Sequence, residues 1–224
     1  GLEANDEASL SYLREFSMFK RDIYSSSAFF CTFATEDDCA PLFLSQARTQ
    51  QKHMNALNDR LVFYGISDPL LSEEHGVYSE GFLDDDDLNI RTFVGWMPSY
   101  TFILENVAYL EEMNIRDLRL AIDETDEHRL ISAYTKLISD NYVHLLQLAS
   151  ILHDDPLDYT SQILGAEEVE QILLDAMDLE SKFTINAGLN DAWYDSATDG
   201  QGFMISVFED KGTVFLAWFT FDTE

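Results

Sequence analysis

Positive charge is scarce in this chain. Lys and Arg total 13 against 42 Asp and Glu, a formal net charge of −29 over 224 residues. None of the 13 falls between Lys136 and Lys182. A surface of that sign repels phosphate backbones and anionic headgroups, so nucleic acid is excluded as an expected partner. Cations, basic proteins or saline surroundings suit it better, and the same charge keeps a protein soluble with no partner at all. Long apolar runs are also missing. No stretch approaches the ~20 residues of a membrane span. The opening GLEANDEAS lacks the basic start and apolar middle of a signal peptide, so the chain is expected to be cytosolic or a mature product of cleavage. No nucleophile elbow, P-loop or Gly-x-Gly-x-x-Gly occurs.

Cysteine occurs only twice. Cys31 and Cys39 bracket TFATEDD, an acidic stretch between two helical patterns. A disulfide there would stiffen the connection, and disulfides persist in oxidising compartments. The expectation is a periplasmic or extracellular protein, with the cytoplasm as the alternative. Two unpaired thiols remain open. A metal-binding pair is disfavoured because no further Cys completes a thiolate site.

What is present is a helical pattern with a core to match, 46% of residues being apolar. Leu10, Leu13, Phe16, Ile23 and Tyr24 recur at three- and four-residue steps and predict a helix over 8–30, with Ser9 as a candidate cap. A second helix is expected over 41–65, opened by Pro41 and closed by Gly65. Residues 66–91, with Pro69, two glycines and the Asp84–Asp87 run, read as a long crossover. The Asp run lacks an EF-hand's spacing and reads as a solvated loop. A third helix is expected over 99–112, with an earlier start near Thr92 as an option. A corner at Asn114 and Ile115 and a short helix to Glu124 should follow. The fourth helix is expected over 126–152. Three parts result: a bundle over 1–152, an acidic linker with a helix over 153–182, and a β-rich segment over 183–224.

The inward polar residues carry the chemistry. Di-metal bundles take one Glu from each of two helices and Glu-x-x-His from the other two, because positions three apart face inward together. Here the second helix has Gln50-x-x-His53, the fourth has Asn141-x-x-His144, the third offers Glu111 with Glu112 beside it, and the first has Ser17 and Tyr24.

The segments LREFSMFKRDIY (13–24), QARTQQKHMNAL (46–57), YGISDP (64–69), YLEEMNIRDL (109–118) and YTKLISDNYVHLL (134–146) together resemble an uncharacterised ferritin-like domain family of bacteria and archaea, within the ferritin and rubrerythrin-like superfamily. The resemblance covers about residues 8–150. It implies an antiparallel four-helix bundle with a di-metal centre in its core. The chain departs from the family pattern, which has acidic residues where Phe16 and Ser17 stand and an acidic residue in place of Gln50. Asn141 likewise falls where the general bundle pattern wants Glu. Two divalent metals in a low-dielectric site need about four carboxylates, and one clear carboxylate remains; uncompensated buried charge is expensive. The expectation is therefore a metal-free polar cluster of Ser17, Tyr24, Gln50 and Asn141 with His53, Glu111 and His144, and no cofactor. The alternatives are one zinc held by His53, His144 and Glu111, or residual di-iron.

The C-terminal AWYDSATDGQGFMISVF and VFLAWFTFD resemble a β-rich segment that recurs in bacterial proteins of unknown function. Period-2 alternation with a turn at Glu209–Gly212 predicts a hairpin, placing Trp193, Tyr194, Phe203, Phe215, Trp218 and Phe219 on strands. Such strands suit pairing with another chain. The function expected is that of a non-catalytic structural or interaction protein with a degenerate ferritin-like site, assembling as a homo-oligomer or filament. The alternative is a metal-binding protein of oxidase or storage type.

Overall fold

Acidic residues open the first helix. Asp6 and Glu7 stand in the first turn of α1 (Ala4–Ala34), where they favour the exposed N–H groups of the helix start, so the helix begins before Ser9. In the computed structural model, which describes residues 2–34, 39–84, 99–182, 191–194, 202–208 and 213–219, four further helices follow. They are α2 (Ala40–Tyr64), α3 (Tyr100–Asp123), α4 (His128–Leu152) and α5 (Ala166–Lys182). Pro at the first turn opens α2, and Gly65, at φ 70°, ends it by donating to Leu61 and Val62 carbonyls, a conformation that favours glycine. Ser99 caps α3 through the Phe102 N–H.

The third helix differs from expectation. It runs unbroken through Asn114 and Ile115, with no corner. Asn usually weakens a helix because its side chain competes for nearby backbone groups. Here the Asn114 amide is buried and bonded to side chains of other helices, so that competition is removed.

Each of the four long helices packs on two others: α1 on α2 and α3, and α4 on α3 and α2. The buried apolar residues form two clusters. One gathers Phe16, Phe43, Val107, Leu145 and the α5 residues Val169 and Ile172. The other gathers Leu10, Leu57, Leu118 and Leu130. On α2 and α4 the changeover between them falls at Gln50–His53 and Asn141–His144. The stretch read as an acidic linker thus gives α5 side chains to the core.

The crossover is strapped to α1 by charge. Buried Arg14 pairs with Asp68 at 2.8 Å and Glu73 at 2.6 Å. The Asp22 carboxylate accepts from the Gly76 N–H and the Tyr78 hydroxyl, and Glu15 accepts from the Ser79 hydroxyl at 2.6 Å. The Asp84–Asp87 run and the possible start near Thr92 fall largely outside the described residues. Cys31 and Cys39 are joined as a disulfide, with Cα atoms 5.6 Å apart.

The chain divides into two compact units, Gly1–Met177 and Asp178–Glu224. The second holds an antiparallel sheet of order β1-β2-β3, formed by β1 (Asp191–Tyr194), β2 (Gly202–Phe208) and β3 (Thr213–Phe219). β1 supplies a third strand to the expected hairpin and carries Trp193 and Tyr194. Phe203 lies opposite Trp218, their rings stacked at 6.2 Å. Phe203, Phe215 and Trp218 are exposed, and Phe219 ends β3. The turn at 209–212 lies outside the described residues. No described helix is long and apolar enough to cross a membrane.

Candidate functional site

The feature missing from the sequence reading is Lys20. It sits three residues after Ser17 and four before Tyr24, so helical spacing puts all three on one face of α1. Its ammonium is fully buried. It donates to Glu111 Oε2 at 2.8 Å, Asn141 Oδ1 at 3.0 Å and Asn114 Oδ1 at 3.1 Å. Three N–H donors thus meet three oxygens from α3 and α4, which satisfies an ammonium completely. Asn141 Nδ2 also donates to Asn114 Oδ1 at 2.9 Å, locking the two amides to each other.

Glu111 is the carboxylate at the middle of this group. The Tyr24 hydroxyl donates to Oε1, and His144 Nδ1 stands 3.5 Å from the same oxygen, without hydrogen-bond alignment. Burial opposes ionisation of Glu111, but Lys20 and His144 outweigh it and pull the carboxyl down to about 2. Burial pushes the Lys20 amine below its usual value while Glu111 resists that shift. Burial and then the Glu111 charge hold Tyr24 well above the ordinary phenol range, so it stays a donor.

His53 Nε2 hydrogen-bonds Asp140 Oδ2 at 2.9 Å. Burial lowers the His53 pKa against the pull of Asp140, which describes a neutral imidazole donating to a carboxylate. Asp140 is lowered in turn, burial opposing and His53 prevailing. Gln50 is fully buried, with neither amide atom partnered among the described residues. Ser17 turns back to its own helix and donates to the Leu13 carbonyl at 2.9 Å. The structure therefore brings Tyr24, Glu111, Asn141 and His144 together, leaves His53 on Asp140, and leaves Ser17 on the backbone. Among the described residues no group of three or more His, Cys, Asp or Glu is arranged to hold a metal.

Glu112, beside Glu111, looks the other way. Its buried carboxylate accepts from the Tyr159 hydroxyl and from the backbone N–H groups of Gln162, Ile163 and Leu164, at 2.8–3.1 Å. It anchors the segment before α5. The spacing Glu111-x-x-Asn114 was available as a signal for the centre; no sequence pattern marks Glu112's partners fifty residues on.

A mostly helical protein with a buried, side-chain-lined polar centre is the class this fold and site define. The chain belongs to the family described as "Uncharacterized protein domain (DUF2202)", whose model matches residues 6–176. It is similar to the uncharacterized protein MJ0754 of Methanocaldococcus jannaschii, 27% identical over 132 residues, which are 59% of this chain and 70% of that protein. The crystal structure of hypothetical protein MJ0754 superimposes with a TM-score of 0.67 at 23% identity, covering 78% of this chain and 94% of that one. That likeness is one of fold.

Proposed function

We propose that this is a ferritin-like four-helix bundle in which a lysine ammonium takes the place of metal, and that the protein works as a structural or interaction protein rather than as a catalyst. One observation carries the reading: Lys20 Nζ sits among Glu111, Asn114 and Asn141 on the helix faces where a di-metal bundle would carry its ligands. Its single positive charge matches the single carboxylate of Glu111. A metal there would face an ammonium with too few carboxylates to balance both, and buried charge without compensation is unfavourable.

The C-terminal strands are the part proposed to associate. Among the described residues β3 ends the sheet, with β2 as its neighbour, and Phe215, Leu216 and Trp218 on it are exposed. An apolar edge strand suits pairing with another copy, giving a homo-oligomer or filament. The disulfide supports an exterior location, where the acidic surface would meet cations.

The test is elemental analysis of protein purified without chelator or added metal, together with its native mass. The reading expects no stoichiometric transition metal and a mass above one chain. One or two metal ions per chain, lost in Glu111→Ala and His144→Ala, would replace it with a metal-binding protein using His53, Glu111 and His144. A metal-free but strictly monomeric protein at high concentration would remove the assembly half.

A further inference from the structure

The centre holds more chemistry than an ion pair requires. An amine becomes a nucleophile once it gives up its proton, and Glu111 Oε2, 2.8 Å from Lys20 Nζ, is placed to take it. Asn114 offers a carboxamide carbon one bond beyond the Oδ1 that lies 3.1 Å from the same nitrogen. That oxygen also accepts from Asn141 Nδ2 at 2.9 Å, within the range of a donor that stabilises a developing oxyanion. Lys20, Glu111 and Asn141 are 0% exposed and Asn114 is 1% exposed, so water does not compete for the carbonyl.

We propose that Lys20 and Asn114 become joined by an intramolecular isopeptide bond that ties α1 covalently to α3, with Glu111 as the proton-transfer residue and Asn141 as the oxyanion donor. The structure describes the unlinked pair. Glu111 accepts a proton from the Lys20 ammonium. The freed amine attacks Asn114 Cγ, forming the new C–N bond, while the carbonyl electrons move onto Oδ1 against Asn141. As the carbonyl re-forms, the original Cγ–Nδ2 bond breaks. Glu111 passes the proton it took to the departing nitrogen, which leaves as ammonia, and then takes the second proton from the new amide nitrogen, ending protonated. The reaction consumes one amine and one carboxamide and yields one secondary amide and one ammonia; nothing is oxidised or reduced. Asn114 is chosen over Asn141 because its oxygen receives two donors, whereas Asn141 Oδ1 receives Lys20. The proposal does not rest on the metal-free reading: unlinked, Lys20 holds the place as an ammonium paired with Glu111, and linked, it holds the same place as a neutral amide nitrogen beside a protonated Glu111, so the charge match describes the protein before the bond forms.

Intact mass spectrometry of the full chain, denatured and reduced, decides it. The expected mass is below the sequence value by one ammonia. Proteolysis should give a branched peptide joining the segment around Lys20 to the segment around Asn114. Lys20→Arg keeps a cation beside Glu111 and should restore the full mass, with circular dichroism confirming that it folds. Wild-type protein at full sequence mass after prolonged incubation would overturn the proposal. So would a mass loss confined to one linear peptide, the mark of a succinimide, and so would a branch ending at Asn141. The wild-type measurements stand even if the variant fails to fold.

Discussion

Glu111 and Glu112 are neighbours on one helix, both fully buried, yet the regions they serve solve the same problem by different means. Glu111 faces the other long helices and meets a cation, a phenol and the His144 ring. Glu112 faces the 159–164 segment and meets a phenol and three backbone N–H groups. A buried carboxylate needs compensation. It can come from one opposite charge or from several aligned dipoles, and the two solutions should fail differently.

The largest effect should come from leaving Glu111 without its cation. Lys20→Met is expected to unfold more easily than Lys20→Met/Glu111→Leu by about 3–5 kcal/mol, the cost of an orphaned buried charge. Denaturant titration of the two variants measures it. Equal stabilities would mean that Glu111 finds another partner, and the contrast between the regions would weaken. Glu112 has no single partner whose removal would relieve it. Glu112→Gln should cost about 2 kcal/mol, since charge-assisted bonds contribute roughly 1.5–3 kcal/mol, and the 159–164 amides should exchange hydrogen faster. Tyr159→Phe should cost only about 1 kcal/mol, because three backbone donors to Glu112 remain.

The smallest effect is a slope. The folded-state pKa of His53 lies below its ordinary value of 6.5, through burial and despite Asp140. Above pH 6.5 the imidazole is neutral in both states and its contribution is complete. As pH falls below that value the unfolded chain takes the proton first, so stability declines. His53→Gln should flatten the decline of stability between neutral and mildly acidic pH, measured by thermal unfolding across that window. An unchanged slope would place the acid sensitivity elsewhere.

Much of the helical framework was legible because periodicity is local. Apolar spacing located the long helices, and Pro41 and Gly65 marked α2. The corner expected at Asn114 failed because its amide is used by Lys20 and Asn141, a tertiary fact that overrides local preference. The centre was half legible. Three-residue inward spacing pointed to Asn141 and His144, and Tyr24 and Glu111 were named with them on the neighbouring helices, but Lys20 was passed over because a lysine among helical residues ordinarily reaches solvent. Glu112 was named but its role was not legible: apart from the Tyr159 hydroxyl its partners are backbone groups, which every residue carries. The helix α5 was readable, but its place in the core was not, since a strongly acidic sequence conceals the narrow stripe of Val169, Ile172, Leu173 and Ala176.

The nitrogen of Lys20 occupies the polar centre. A crystal structure of protein soaked in Fe²⁺ or Zn²⁺, with anomalous data, addresses it directly. Continuous density is expected from the Lys20 side chain to a light atom between Glu111, Asn114 and Asn141, with no anomalous peak there. An anomalous peak on Glu111 and His144, with Lys20 turned away, would contradict it.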